Sequence, residues 1–220
     1  MKKIESSIDI GGKKLTLRTG DIASQATSAV MAQYGETVVL AAVVAAPLTE
    51  WPGYAPLSIE YQERLYAGGR IKGSRWVKRE GRPLDEEVLT GRVIDRSIRP
   101  LFPNNYKKDV QITVTVLSVD MENPADIVAA AAVSAALEIS PNAWAGPVAT
   151  VRVGKFNGDF VTNPTDAQIK ESNLDLLVST TKDAIVMIEA GAKEVSEEDI
   201  LSAIEYAINE GSPIGFETLL

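Results

Sequence analysis

The run TVVLAAVVAAP at residues 37–47 constrains the fold more than any other stretch of this chain. It is almost wholly apolar and rich in β-branched valine. At eleven residues it is too short to span a bilayer, which takes about 20 apolar residues. Such a run reads as a strand buried on both faces, and a chain that carries one needs a core to hold it. With 45% apolar residues over 220 positions, the sequence supplies one.

The rest of the chain reads around that strand. Residues 4–19 alternate apolar and polar about Gly11-Gly12, which predicts a hairpin. Further strands are expected at 26–33, 56–64, 110–119, 147–154, 159–162, 174–180 and 184–190, with turns at Gln33–Glu36 and Asn157-Gly158. Three helices are expected. One starts near Pro83-Leu84-Asp85, with Asp85, Glu86 and Glu87 at its positive end, and stops before Pro100. A second, over 124–138, is capped by Asn123-Pro124 and rich in alanine. A third, Ser196–Asn209, has Ser196 as cap and closes the ordered chain. Strands mixed with helices predict one α+β domain over residues 1–210. The last segment, 211–220, reads as a loose tail or the start of a linker.

Two absences narrow the chemistry. The chain has no cysteine and no histidine, so disulfides, thiolate sites, His-ligated metals and Ser–His–Asp catalysis are out of reach. The start MKKIESSIDIGGKKL lacks the apolar core of a signal peptide. The protein reads as cytoplasmic, with no membrane association.

The formal charge of −8 is unevenly spread. From Arg64 to Lys108 there are 12 Lys/Arg against 5 Asp/Glu, a net of +7, while the remainder carries −15. Within that basic block, loop 70–82 places Arg70, Lys72, Arg75, Lys78, Arg79 and Arg82 around Trp76. Cations that track phosphates and an aromatic on which bases stack are what single-stranded nucleic acid requires. The competing reading is a solvated loop whose Trp76 packs into the core. On the helix that follows, Arg92, Arg96 and Arg99 share one face. They suit phosphates, or an ion network through Asp95, which lies at i−4 from Arg99 and i+3 from Arg92. Gly68 to Gly73 imitate P-loop spacing but lack its Lys-Ser/Thr and do not open a helix. Asp120/Glu122 and Glu197–Asp199 fit capping. No catalytic constellation and no metal cage is evident.

The string YQERLYAGGRIKGSRWVKREGRPLDEEVLTGRVIDRSIRPLFP (61–103), with RTGDIASQATSAVM, NPADIVAAAAVSAAL, GPVATVRVG and EAGAKEVSEE in the same order, resembles the N-terminal RNase PH-like domain of the bacterial polynucleotide phosphorylase family. The likeness covers roughly residues 4–210. It implies an RNase PH-like α+β fold of mixed sheets packed with about three main helices. It also implies membership of a 3′-to-5′ exoribonuclease that uses inorganic phosphate to release nucleoside diphosphates, reversibly and with Mg²⁺. The family assembles as homotrimeric rings around a channel for single-stranded RNA, with RNA-degradation proteins as possible partners.

On that resemblance the phosphorolytic site lies in a second core domain, and this chain holds no catalytic residue. Trp76, Lys78, Arg79 and Arg82 correspond to the channel-neck loop, and Arg92, Arg96 and Arg99 to the helix behind it. Gly68, Gly69 and Gly73 serve as hinges. The chain departs from the family pattern in having Trp76-Val77 where many relatives have two aromatics, an extra Arg75, and Lys72 in place of proline. The alternatives are a stand-alone, non-catalytic RNA-binding or ring-scaffold protein, and arginines that serve a subunit interface.

Overall fold

The computed structural model describes residues 3–50, 52–71 and 82–219, with side chains as far as Asn209. Strands β1 (Ile4–Ile10) and β2 (Lys13–Thr19) pair as the expected hairpin. Gly11 and Gly12 turn at φ 55° and 80°, the left-handed pair a type I′ turn requires. Antiparallel β3 (Ser28–Tyr34) and β4 (Thr37–Pro47) follow.

Next come β5 (Leu57–Glu63), a 3₁₀ turn (Leu65–Gly68), helix α1 (Asp85–Ile98), a second 3₁₀ turn (Arg99–Leu101) and β6 (Lys108–Ser118). Strand β6 lies antiparallel to β4 and parallel to β5, giving the order β1-β2-β3-β4-β6-β5. The parallel pair follows from its connection: a crossover that carries a helix returns the chain in the same direction, as a tight turn does not.

Helix α2 (Ala125–Glu138) leads to the second sheet. That sheet comprises β7 (Ala149–Phe156), β8 (Asp159–Thr162), β9 (Leu174–Thr180) and β10 (Ile185–Ala192), all antiparallel in the order β10-β9-β7-β8. A short α3 (Asp166–Glu171) joins β8 to β9, and α4 (Glu197–Leu219) ends the chain. Among the described residues no helix is long and apolar enough to cross a membrane.

Helix α2 holds the two sheets together. Ten of its fourteen residues are buried, as a helix apolar all round must be. Its alanines let it lie against β3 and β4 on one side and β7 on the other. Serines bond it to both sides: Ser28 Oγ donates to the Ala136 carbonyl at 2.6 Å, and Ser134 Oγ accepts from Val148 N at 2.9 Å. Helix α4 packs Ala203 and Ala207 on Val151, Val153, Leu174, Leu176 and Val178.

Several expectations change on sight of the fold. Strand β4 is sealed on one face only: Val39, Ala41 and Val43 are fully buried, whereas Val38, Leu40 and Ala42 are half-buried. Apolar content there exceeds what burial uses. Asn123 does not cap α2. The N-cap is Pro124, which has no side-chain acceptor. Helix α3 was not expected, although Thr165 and Gln168 form a reciprocal capping box that marks its start. Helix α4 runs on through Gly211, Ser212 and Pro213 to Leu219, beyond the expected Asn209 and into the segment read as a loose tail or the start of a linker. Those residues lower helix propensity without forbidding continuation.

Candidate nucleic-acid interface

Helix α1 presents the predicted arginine row, and three sets of contacts fix its position. At its N-terminus Glu87 turns back: Oε2 accepts from Leu84 N at 2.6 Å and Oε1 from Glu63 N at 2.7 Å. Leucine has no acceptor to offer in return, so only half of a capping box forms. On the buried face, Ser97 Oγ donates to the Val93 carbonyl at 2.9 Å and lies 2.9 Å from Ser179 Oγ, which lies 2.9 Å from Thr150 Oγ1. This chain of hydroxyls ties α1 to β9 and β7. Ile94 and Ile98 fill the core beside it. At the C-terminus Arg99 grips Asp95 through Nε (2.8 Å) and Nη2, and Nη2 also donates to the Leu57 carbonyl at 3.0 Å. The Asp95 carboxylate raises the pKa of the guanidinium further.

The three arginines therefore differ, although all are exposed. Arg99 is held in a bidentate pair. Arg96 reaches Glu189 on β10 at 3.4 Å, an exposed contact of the kind that contributes roughly 0–1 kcal/mol. Arg92 has no partner among the described residues. The Asp95 network expected from spacing forms with Arg99 and not with Arg92. Arg82 is exposed at the approach to the helix.

Trp76, Lys78, Arg79 and the hinge Gly73 lie outside the described residues. The other two hinge candidates are part of built structure. Gly68 ends the 3₁₀ turn, and Gly69 closes it at φ 68° with its N–H on the Tyr66 carbonyl. Ala67 O accepts from Val119 N at 3.1 Å, so the turn is fastened to the end of β6. Trp144 behaves as a packing residue, with Nε1 donating to the Ile98 carbonyl at 3.2 Å.

Among the described residues, two clefts lie beside α1. One, of about 560 Å³, lies between α1 and β5 and has Arg92 and Glu60 on its walls. The other, of about 390 Å³, faces the second sheet, with Glu86, Asp126, Asp175 and Glu189 around Arg152. Arg152 is pinned to Asp126 (2.7 Å) and Asp175 (3.1 Å). The second contact is an ion pair without hydrogen-bond alignment, since Nε finds no properly oriented acceptor. Carboxylates outnumber cations there, so this cleft repels phosphate. Among the described residues no group of three or more carboxylates converges to hold a metal ion.

Sequence reasoning missed the polar knot behind the β3–β4 turn. Asp120 accepts from the backbone N–H groups of Glu122 (2.9 Å), Asn123 (2.8 Å) and Glu36 (3.0 Å), from Thr37 Oγ1 (3.1 Å) and from Asn123 Nδ2. Burial pushes its pKa up, but the donors from Asn123, Glu122 and Glu36 outweigh that and hold it far below the usual carboxylate range. Lys13 Nζ donates to Asn123 Oδ1 at 2.7 Å, which joins β2 to the knot. The signal present in sequence was a carboxylate directly after a strand and three residues before an asparagine.

Comparison with known proteins finds relatives of the chain and of its fold. The model of the 3′ exoribonuclease family, domain 1, matches residues 11–141, and that of domain 2 of the same family matches residues 146–210. The boundary falls between α2 and β7. The chain is 48% identical over 215 residues to a polyribonucleotide nucleotidyltransferase of Acidiphilium cryptum, covering 97% of this chain and 30% of that protein. It is 47% identical to one of Thermus thermophilus (94% and 29%) and 54% identical to one of Methylocella silvestris (90% and 28%). The chain thus spans about 30% of the length of these relatives. Among solved structures, the Rrp46 protein of rice (Oryza sativa) superposes with a TM-score of 0.71 at 18% identity, covering 91% of this chain and 90% of that one. A chain of the Archaeoglobus fulgidus exosome with RNA bound to the active site gives 0.69 at 16%, covering 90% and 85%. At these identities the two structures establish the fold alone.

Proposed function

The chain belongs to the 3′ exoribonuclease family, and from that premise we propose that it is the N-terminal core unit of a phosphorolytic enzyme that shortens RNA from its 3′ end. The observation that carries this reading is the 48% identity to a polyribonucleotide nucleotidyltransferase along 97% of the chain. Inorganic phosphate is the co-substrate and nucleoside diphosphates are the products. Within the enzyme this unit grips single-stranded RNA and contributes to a homotrimeric ring. Trp76, Lys78, Arg79 and Arg82 act in the loop, and Arg92, Arg96 and Arg99 along α1. Contact to phosphates and base faces is sequence-tolerant and salt-sensitive. The reaction runs in the cytoplasm, alongside other RNA-degradation proteins. Phosphate and Mg²⁺ bind in the part of the enzyme beyond this unit.

The test is phosphorolysis with RNA, phosphate and Mg²⁺. The 220-residue chain alone is expected to bind RNA and release no nucleoside diphosphates, and release by it alone would overturn the division of labour. The double variant Trp76→Ala, Arg79→Ala is expected to weaken RNA binding and leave assembly intact. The reverse pattern would make these residues interface elements.

A further inference from the structure

The cleft between β5 and α1 has a chemistry of its own. One wall is the β5 run Ser58 to Gln62, and the other is the α1 face that carries Glu87, Gly91, Arg92 and Asp95. An open strand edge beside a helix invites an added peptide strand, but this edge is already covered. Pro56 O bonds Val110 N of β6, so the backbone N–H and C=O groups of alternate residues from Leu57 onward point to the open edge. Arg99 takes Leu57 O, Glu87 takes Glu63 N, and Gly91 lies so close that an added Cβ would sit 3.6 Å from Ile59 O. What remains for a ligand is side-chain chemistry.

Three of the polar side chains on the walls are already engaged, Tyr61 among them through Glu63. Glu87 accepts two backbone N–H groups and Asp95 holds Arg99. Glu60 on β5 and Arg92 on α1 have no partner among the described residues. The cleft therefore offers mainly apolar surface and, among the described residues, one free carboxylate and one free guanidinium on opposite sides, with the Ser58 hydroxyl and the Gln62 amide on the same strand as Glu60. A nucleotide matches that set: a flat apolar base with an amino edge, and a phosphate one sugar away. Its volume lies within the range of small-ligand clefts, about 300–1,000 Å³. Arg92 also belongs to the arginine row, so the cleft opens onto the proposed path of the strand.

We propose that this cleft is a nucleobase site on the RNA path and that Glu60 makes it favour bases with an exocyclic amino group. The proposal rests on the RNA-binding reading of α1. A carboxylate only accepts, so it pairs with the amino group of cytosine, adenine or guanine. Uracil offers its ring N–H between two carbonyl oxygens, which the carboxylate repels.

The experiment measures binding of short oligocytidylate and oligouridylate to the full 220-residue chain. These probes differ along one base edge only: cytosine carries an amino group beside an unprotonated ring nitrogen, uracil an oxo group beside a ring N–H. Oligocytidylate is expected to bind roughly tenfold tighter, the discrimination of one good base contact. Glu60→Gln is expected to cut that ratio to about threefold or less. Gly91→Ala adds a methyl group at ordinary contact distance from the β5 wall and improves helix propensity. It is expected to keep or raise the Tm while lowering oligocytidylate affinity several-fold. RNA binding with no base preference, or a preference untouched by Glu60→Gln, overturns the nucleobase site and leaves the arginine row standing. No RNA binding by the unaltered chain overturns both.

Discussion

Replacing Asp120 by asparagine tests the knot behind the β3–β4 turn. The side chain keeps its shape, and one oxygen can still accept from Glu122 N, Asn123 N and Thr37 Oγ1. The other becomes an amide that faces two donors, Glu36 N and Asn123 Nδ2. Two hydrogen bonds to a charged acceptor are lost, each worth roughly 1.5–3 kcal/mol. Water reaches part of the site, so the lower end applies, and the expected loss is about 3 kcal/mol. For a chain of this size that is a fall in Tm of about 6–12 °C. Urea unfolding should show a lower midpoint at unchanged slope. The pH dependence gives an independent check. The folded-state pKa of Asp120 is depressed, so its contribution is fully present above the unfolded carboxylate value of about 4. It drains away as pH falls below that toward the folded pKa. The gap between the parent chain and Asp120→Asn should therefore be constant from pH 7 to 5 and close as the solution is acidified further. A loss under about 0.5 kcal/mol at pH 7, or a gap that widens in acid, refutes the assignment.

Other substitutions follow the same logic. Gly35→Ala forces a side chain to φ 62° and puts its Cβ 2.5 Å from Asn123 Nδ2 and 2.8 Å from Asp120 Oδ2; a loss of about 2–3 kcal/mol in urea unfolding is expected. Ser97→Ala leaves Ser179 bonded to Thr150, so it should cost only about 1 kcal/mol, with faster amide exchange along α1 as its signature. Arg92→Ala should reduce the salt slope of RNA binding by about one and leave the Tm unchanged. Arg99→Ala should lower the Tm by releasing Asp95 and Leu57 O, with the smaller effect on RNA affinity.

Elements set by local pattern were legible in the sequence. The type I′ hairpin at Gly11-Gly12, the start of α1 near Asp85, the alanine helix α2 and the Ser196 cap of α4 all depend on residues within a few positions of one another, and each is present. Apart from α3, whose capping box is local and was passed over, what stayed hidden depends on partners far along the chain. Asp120 looked like an ordinary strand end because its donors at Glu36 and Thr37 lie more than eighty residues away. The parallel pairing of β5 with β6, and the tie from Ser97 to Ser179, leave no local trace. The arginine row was legible as a row, since residues at i, i+4 and i+7 must share a helix face. Its internal ranking was not, because that is set by β5 and β10.

That ranking gives the two competing readings of the row a physical division. An arginine that holds a helix in place needs a fixed carboxylate, and one that receives a phosphate needs to be unpaired until the strand arrives. Arg99 meets the first condition, with both Asp95 oxygens engaged beside the Leu57 carbonyl. Arg92 meets the second, and Arg96, at 3.4 Å from an exposed Glu189, can exchange one anion for another at small cost. On the proposed RNA-binding reading, the ion network and the phosphate row are successive stretches of one helix. Its C-terminal end is anchored against β5, and its exposed middle faces the cleft where a strand would pass. A helix fixed at Glu87, Ser97 and Arg99 keeps Arg92 at a set height above β5 with no ion pair to Arg92 among the described residues. Reversing Asp95 to lysine should accordingly release Arg99 and loosen the C-terminal turn of α1. If it instead abolished RNA binding while the fold stayed intact, Arg99 would be the principal phosphate ligand and this ordering would be wrong.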